Sequence, residues 1–345
     1  MTIDILMATY NGEKYLREQL ESFTHQTSTD WRLLVRDDGS NDNTLEILKE
    51  YQRELPEGKV VILDRVEPKD HPPPLNKYET ARRVIANFSA LMERSKADGL
   101  ADYIMFSDQD DVWHDDKIAK TLAKMKQMEA EHGKDVPLLV HTDARLVNRD
   151  GSHKCESVKA LHHQQPEKND FHRGVLFGGG AQGCTMMMNS RLMEMSMPIS
   201  NHAVMHDAWV SLVAMATGHS GYLAEPTLDY PQHGANVSMR LDRPSYVSHI
   251  RSRLSEGVDP MFIQAMALRD HLGDRATPQA REDMERLLSI GAKPNRVLRG
   301  ARLFSENFKP GRLRSNLLLF GGQGIQQEAE PSPDRVFEGS TSPSR

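Results

Sequence analysis

Residues 103–113 read YIMFSDQDDVW, and this stretch is the strongest indicator of the fold. Its first four residues are apolar or aromatic and predict a buried strand, which ends in the acids Asp108, Asp110 and Asp111. In an extended chain the side chains of Asp108 and Asp110 point to the same side. Two carboxylates aimed at one point form a hard-oxygen site that suits Mg²⁺ or Mn²⁺. The alternative is a solvated acidic loop before the next helix.

Short apolar runs alternate with amphipathic stretches around this segment. Strands are predicted at 3–8, 31–35, 60–63, 103–106 and 138–147. Helices are predicted at 13–25, after Asp42 or Asn43, at 76–95 and at 117–128. This alternation predicts an α/β domain with a mainly parallel central sheet, in which ligands bind beyond the carboxyl ends of the strands.

Two polar turns follow the first two predicted strands. Asn11-Gly12 and Asp38-Gly39 allow the backbone to turn sharply. A carboxylate at the end of a strand can accept a hydrogen bond from the ring N–H of a pyrimidine base. Taken alone, each such turn is more often a simple connection between a strand and a helix.

A third acid, Asp207, lies in the apolar stretch MHDAW. Between Met205 and Trp209 its carboxylate should be partly withdrawn from water, as the general base of an enzyme often is. The alternative is that Asp207 only caps the start of a helix predicted at 205–217.

The composition is that of an ordinary globular protein. The 345 residues are 38% hydrophobic and 27% charged, with a formal net charge of −6. A net negative chain is not suited to binding nucleic acid through phosphate neutralisation. The two cysteines, Cys155 and Cys184, form neither a disulfide framework nor a metal knuckle, which fits a reducing cytoplasm. We also expect no signal peptide and no membrane-spanning segment.

The second half of the chain is less regular. We predict a polar loop or insertion at 150–177, strands at 184–188 and 222–230, and helical, basic sequence beyond 240. The predicted organisation is a domain at 1–240, a helical basic extension at 241–320 and a disordered tail at 321–345. Residues 293–314 carry a net charge of +6, so they either lie on an anionic membrane surface or pack on the domain with the basic face in water.

The run GGGAQG at 178–183 fits the glycine pattern of dinucleotide-binding enzymes. That pattern requires a helix directly after the glycines. Residues 184–188, CTMMM, instead predict a buried strand, which argues against an oxidoreductase.

Four stretches, ILMATYNGEKYLREQLESFTHQT, WRLLVRDDGSNDNT, FSDQDDVW and MHDAWVSLVA, together resemble bacterial family 2 glycosyltransferases of the GT-A fold. The likeness is closest to rhamnosyltransferases of polysaccharide synthesis, and the glycine run and PQHGANVS share it. It covers about residues 2–240. One departure is His206, where a glutamate often precedes the catalytic acid.

The resemblance implies a role for each matching residue. Asp38 would contact the nucleotide base, Asp108 the ribose and metal, and Asp110 the metal, while Asp111 would orient its neighbours. Asp207 would be the catalytic base. The remaining site residues would line the base pocket by backbone (Ala8, Thr9, Tyr10), shape the acceptor side (Gly179, Gly180, Thr185) or reach the metal or diphosphate (His233).

The resemblance also implies the reaction. The chain would be an inverting, Mg²⁺- or Mn²⁺-dependent enzyme that moves a sugar from a nucleotide diphosphate to a glycan or lipid-linked glycan. The likeness favours dTDP-rhamnose, and UDP-linked sugars stay open because thymine and uracil present the same hydrogen-bonding pattern. The alternative is a binding module of this fold without turnover.

Overall fold

The described residues contain a mixed nine-stranded sheet. The computed structural model describes residues 2–64, 77–99, 101–148, 150–161, 171, 180–231 and 259–291. The strands are β1 (Ile3–Thr9), β2 (Trp31–Asp37), β3 (Val60–Ile62), β4 (Tyr103–Ser107), β5 (Val112–Trp113), β6 (Leu138–Val147), β7 (His153–Cys155), β8 (Met186–Asn189) and β9 (His219–Pro231).

Four parallel strands, in the order β3-β2-β1-β4, form one half of the sheet. Thr9 of β1 is aligned with Asp37 of β2, and Met7 of β1 with Ser107 of β4. The carboxyl ends of these three strands therefore meet at one edge. The turns that begin at Asp38 and Asp108 leave the sheet at this edge, on either side of the end of β1.

The other half of the sheet is mixed. β8 enters between β4 and β6 and runs antiparallel to both, whereas β9 runs parallel to β6. β5 and β7 pair antiparallel with β9 and β6. The predicted α/β class is confirmed, and the antiparallel β8 brings the chain around Cys184 back to the acidic end of β4.

Helices cover both faces of the sheet. They are α1 (Leu16–Thr24), α2 (Thr44–Glu54), α3 (Lys77–Ala97), α4 (Lys117–His132), α5 (Val158–Leu161), α6 (Ser190–Ser196), α7 (His206–Thr217), α8 (Asp259–Leu272) and α9 (Pro278–Gly291). Ile5 and Met7 pack with α1, α2 and α4 on one face, whereas Leu6 packs with α3 and α6 to α9 on the other. Because both faces are covered, β1 is apolar almost throughout.

The helices α8 and α9 belong to the same core as the sheet. Leu268 and Met284 are buried there, and the backbone N–H of Thr277 donates a 2.8 Å hydrogen bond to the carbonyl of Ala216 at the end of α7. The expected helical character beyond 240 is confirmed for 259–291. The boundary predicted at 240 and the tail at 321–345 lie outside the described residues.

Part of the predicted loop at 150–177 is regular structure. β7 pairs with β6, and α5 follows it. The carboxylate of Asp143 on β6 accepts hydrogen bonds from the hydroxyl of Ser157 and from the backbone N–H of Lys159, at 3.2 Å for the latter. These long-range contacts, which the polar sequence does not signal, anchor the segment to the sheet.

Among the helices within the described ranges, none combines the length and apolar character needed to cross a bilayer.

Candidate active site

Asp37 braces the turn that follows β2. Its carboxylate accepts hydrogen bonds from the backbone N–H groups of Gly39 at 3.2 Å and Ser40 at 2.9 Å, and from the Thr9 hydroxyl at 3.2 Å. Gly39 has a φ of 84°, which favours glycine. The first acid of the DDGS turn is thus structural, and it fixes the backbone from which Asp38 projects.

Asp38 lies beside the end of β1, at the predicted base pocket. Its backbone N–H donates a 2.8 Å hydrogen bond to the carbonyl of Thr9, and its carboxylate lies 3.9 Å from a guanidinium nitrogen of Arg83 on α3. Ala8 and Tyr10, the neighbours of Thr9 in sequence, are half-buried, and the side chain of Thr9 donates to Asp37. Because its side chain is engaged in this way, Thr9 could line a pocket only through its backbone.

The loop after β1 is held by the loop after β2. The backbone N–H of Asn11, which has a φ of 49°, donates to the Ser40 hydroxyl at 2.9 Å. The backbone N–H of Gly12 donates to the Thr44 hydroxyl at 2.8 Å. These contacts tie together the two loops between which the base pocket is predicted.

The acids after β4 form a cluster of negative charge with Asp207. Burial, and then the charges of Asp110 and Asp207, raise the pKa of Asp108 to about 7. The structure therefore brings together three of the predicted site acids, although Asp207 follows the others by about a hundred residues of sequence. Such crowded carboxylates repel one another unless a cation lies between them.

Asp111 is buried next to this cluster. No nitrogen or oxygen donor within the described residues reaches either of its carboxylate oxygens, and its nearest neighbours include the Cys184 thiol. Burial, and then the charges of Asp108 and Asp110, raise the pKa of Asp111 well above its usual value. The ligand atoms of Asp108, Asp111 and Cys184 all lie within 4.8 Å of one another.

This donor set fits a hard divalent cation. The crowded acids would be relieved by two positive charges, and carboxylate oxygens are the ligands that Mg²⁺ and Mn²⁺ prefer. Burial, and then the charges of Asp111 and Asp108, raise the pKa of the Cys184 thiol. The oxygen atoms of Asp108 and Asp111 are the hard ligands of this set.

Lys117 is a buried cation near the cluster. Its buried ammonium group donates hydrogen bonds to the carbonyl of Cys184 at 3.0 Å and to the hydroxyl of Thr227 at 3.2 Å. Burial lowers the pKa of Lys117 to about 8, and the nearby Asp111 opposes that shift. This lysine joins β8, β9 and the acidic loop.

Asp207 lies in the first turn of α7 and is half-buried. Its Oδ2 accepts a 3.0 Å hydrogen bond from the backbone N–H of Gly183, and its Oδ1 accepts one of 2.7 Å from the N–H of Ala208. Each oxygen keeps a second acceptor position. The carboxylate is therefore oriented by backbone donors and can still receive a proton.

His206 is buried next to Asp207, between two phenylalanines. Its ring stacks on Phe88 with centroids 3.8 Å apart and meets the edge of Phe106 at 4.9 Å. Burial lowers the pKa of His206 to about 4, so the imidazole is neutral at physiological pH. The residue that departs from the family pattern thus packs behind Asp207.

The predicted acceptor side is partly described. The carbonyl of Gly180 accepts a 2.8 Å hydrogen bond from the ammonium group of Lys159, and the hydroxyl of Thr185 donates one of 2.8 Å to the carbonyl of Gln182. Thr185 is buried and therefore shapes this turn through its backbone contacts. Gly179 and His233 lie outside the described residues.

The glycine run does not open a helix of the dinucleotide-binding kind. A single 3-10 turn, Gly183–Thr185, follows it and leads directly into β8. This confirms the strand predicted there and removes the structural context that an oxidoreductase site requires.

Sequence reasoning missed several residues that organise the site. They are Asp37, Gln109, Lys117, Lys159 and Cys184. Only Asp37 could have been identified from the sequence. It stands two residues before the glycine and three before the serine of the turn, and an acid in that position commonly accepts hydrogen bonds from their backbone N–H groups. The others depend on which strands become neighbours.

The chain is similar to known glycosyltransferases. Residues 4–133 match the family model described as glycosyl transferase family 2. The chain is 30% identical over 248 residues to the dTDP-rhamnosyl transferase RfbG of Shigella flexneri. The aligned residues make up 68% of this chain and 75% of RfbG. The chain is 27% identical over 125 residues to the putative teichuronic acid biosynthesis glycosyltransferase TuaG of Bacillus subtilis, covering 36% of this chain and 42% of TuaG.

Solved structures agree with the predicted GT-A fold. The crystal structure of Staphylococcus aureus TarS 1-349 matches with a TM-score of 0.51 at 16% identity, covering 93% of this chain and 79% of that one. Its complex with UDP-GlcNAc matches with a TM-score of 0.50 at 16% identity, covering 93% and 80%. At this identity the likeness concerns the fold alone.

Proposed function

This chain belongs to glycosyltransferase family 2, and from that premise we propose that it transfers L-rhamnose from dTDP-rhamnose to a glycan or lipid-linked glycan acceptor. The product would be a bacterial surface polysaccharide. Support for the sugar comes from the similarity to RfbG, whose name specifies a dTDP-rhamnosyl donor. A UDP-linked sugar is the second candidate, because Asp38 would meet the same N–H in uracil as in thymine.

The observation that carries the proposal is the convergence of three acidic groups at one edge of the sheet. Strand register brings the turns of Asp38 and Asp108 to one edge of the sheet, on either side of the end of β1. The hydrogen bond from Gly183 holds Asp207 at the same cluster. A base pocket, a diphosphate-metal site and a proton acceptor are the three parts that an inverting sugar transfer needs.

In the proposed complex Asp38 accepts the ring N–H of the pyrimidine. Asp108, near the ribose, and Asp110 would hold Mg²⁺ or Mn²⁺, and Asp111 would orient its neighbours. When bound, the metal would neutralise charge that develops on the diphosphate. Gly179, Gly180 and Thr185 would shape the acceptor side, and His233 is the proposed further contact to the metal or diphosphate.

The chemical step is a single displacement. The acceptor hydroxyl oxygen forms a bond to C1 of the sugar while the bond from C1 to the diphosphate oxygen breaks, and the electron pair leaves with the nucleoside diphosphate. The hydroxyl proton passes to a carboxylate oxygen of Asp207. Attack from the face opposite the diphosphate inverts the anomeric centre. A positioned base of this kind contributes about 10²–10⁴-fold in rate.

A test supplies purified protein with dTDP-rhamnose or UDP-N-acetylglucosamine, Mn²⁺ and a lipid-glycan extract, and measures the nucleoside diphosphate released and the sugar incorporated. We expect incorporation from dTDP-rhamnose that disappears with chelator. Incorporation only from the UDP sugar would replace the donor assignment. Donor binding without any release or incorporation would favour the alternative of a binding module.

Contact with the membrane is a separate prediction. Residues 293–314, with a net charge of +6, lie outside the described residues. If they dock on an anionic surface, the protein should co-sediment with vesicles rich in phosphatidylglycerol and be released by salt. If the same fraction of the protein co-sediments with neutral vesicles as with anionic ones, the alternative that this segment packs on the domain is favoured.

A further inference from the structure

Gln109 stands between Asp108 and Asp110 but directs its amide away from them. Its Oε1 accepts a 2.9 Å hydrogen bond from the backbone N–H of Tyr10, and its Nε2 donates one of 3.0 Å to the backbone carbonyl of the same residue. One side chain thus satisfies both backbone groups of Tyr10, as a neighbouring strand would.

This pairing extends the contact between β1 and β4 beyond their ladder. The backbone register of the two strands ends at Met7 and Ser107. Beyond that point, the Gln109 side chain spans from the acidic loop to the loop after β1. The two loops carry different parts of the proposed donor site, namely the base pocket at Tyr10 and the metal-binding acids on either side of Gln109.

Gly12 leaves the space that Gln109 occupies. A Cβ atom built on Gly12 would lie 2.4 Å from Oε1 and 2.7 Å from Cδ of Gln109. The φ of Gly12 lies outside the left-handed region, so its backbone does not itself require glycine. An alanine at this position would fit only if the end of the Gln109 side chain moved, which breaks its pairing with Tyr10.

We propose that Gln109 is a positioning residue that couples the base pocket to the metal-binding acids, so that the two ends of a nucleoside diphosphate are bound as one unit. The proposal rests on the proposed donor site. A ligand that bridges two sites gains affinity from their fixed separation, because binding at one site raises the effective concentration at the other. Loosening the link should weaken the bridging ligand and spare a ligand that occupies one site only.

The test compares the dissociation constants of dTDP with Mn²⁺ and of thymidine alone, by calorimetry or competition. In Gln109→Leu we expect dTDP with Mn²⁺ to bind about tenfold more weakly, within the range usual for coupled sites, while thymidine binding stays within about twofold. With dTDP-rhamnose, the donor KM should rise and kcat at saturating donor should change little.

Gly12→Ala tests the same contact with Gln109 still present, and it replaces Gln109→Leu as the test if that variant fails to fold. Gly12→Ala should weaken dTDP binding to the same extent. In the double variant with Gln109→Ala, the added methyl group no longer meets a glutamine side chain, so dTDP binding should be no weaker than in Gln109→Ala alone. The matched control is Gln52→Leu, which removes a 3.0 Å bond from a side-chain amide to the carbonyl of Val60. It should leave dTDP binding unchanged.

The outcomes separate the two levels of the proposal. If wild-type protein binds dTDP with Mn²⁺ and Gln109→Leu binds it equally well, the coupling role is overturned and the donor site stands. Equal weakening of thymidine and dTDP would also overturn it, since that pattern indicates a damaged base pocket. If the wild-type protein binds no nucleoside diphosphate, the proposed function and this inference fall together.

Discussion

The backbone N–H of Gly183 donates a 3.0 Å hydrogen bond to Oδ2 of Asp207. This contact joins the turn before β8 to the first turn of α7 and directs the carboxylate toward the acids after β4. Asp207→Asn should keep the contact with Gly183 through its amide oxygen and lose the one with the N–H of Ala208. The amide cannot take up a proton. We expect kcat to fall by about 10²–10⁴-fold.

Binding of dTDP with Mn²⁺ should stay within about twofold in Asp207→Asn, because a base acts on the acceptor and in the transition state. Asp135→Asn, which alters an exposed acid, is the control and should keep full activity. Normal turnover by Asp207→Asn would remove Asp207 from the role of base.

The two acids of the DDGS turn should respond differently to the same substitution. Asp37→Asn replaces a carboxylate that accepts from two backbone N–H groups and the Thr9 hydroxyl, so it should destabilise the fold by about 1–3 kcal/mol. Asp38→Asn should instead weaken thymidine binding with a small effect on unfolding. Urea unfolding and calorimetry on both variants measure this separation, and an exchange of the two effects would contradict it.

Asp229 makes stability depend on pH. Burial alone would raise its pKa, but hydrogen bonds from His114 at 2.9 Å and Arg145 at 2.6 Å outweigh burial and hold the pKa below its usual range. A lowered carboxyl pKa contributes stability that is present above the unfolded value, about 3.9, and is lost as pH falls through the folded value.

Asp229→Asn should accordingly cost about 1 kcal/mol at pH 7, a figure suited to partly exposed ion pairs. The difference from wild type should shrink as the pH falls below about 4, where Asp229 of the unfolded chain takes up a proton, and it should vanish once the folded carboxylate is protonated as well. Urea unfolding at pH 7 and pH 3 measures both values. A difference that grows toward acid would contradict this assignment.

Two glycines near the start of β9 should differ in their tolerance of alanine. A Cβ on Gly218 would lie 1.9 Å from the backbone carbonyl oxygen of Pro137, whereas one on Gly221 would meet the Sδ atom of Met128 at 2.4 Å. Backbone cannot move as a flexible thioether can. Gly218→Ala should cost about 1–3 kcal/mol or more, and Gly221→Ala clearly less. Equal losses in thermal unfolding would contradict the close approach at Pro137.

The first half of the fold follows from local sequence patterns. The apolar runs that end in Asp37 and Asp108 predict strands, and parallel strands bring their carboxyl ends together, so neighbouring acids could be expected there. The position of Asp207 in a helix was predicted from its apolar surroundings in the same way. These features depend only on periodicity and on the residues next to each motif.

Contacts between distant segments could not be predicted in this way. Cys184 reaches Asp111 because β8 inserts antiparallel beside β4, and no local pattern specifies which strand takes that place. Lys117 reads as an ordinary residue at the start of an amphipathic helix, yet its ammonium group is buried against β8 and β9. The regular segment with Lys159 depends on Asp143, which lies on another strand.

Thermal unfolding with dTDP, in Mn²⁺ and in chelator, tests the central claim most directly. Ligand at 100 times its Kd should stabilise the native protein by about 2.7 kcal/mol. We predict a clear rise in Tm with dTDP and Mn²⁺, little rise in chelator, and loss of the metal-dependent part in Asp110→Asn. If neither dTDP nor UDP raises the Tm with metal, the acids after β4 do not hold a nucleotide diphosphate, and the proposed glycosyl transfer at this site is contradicted.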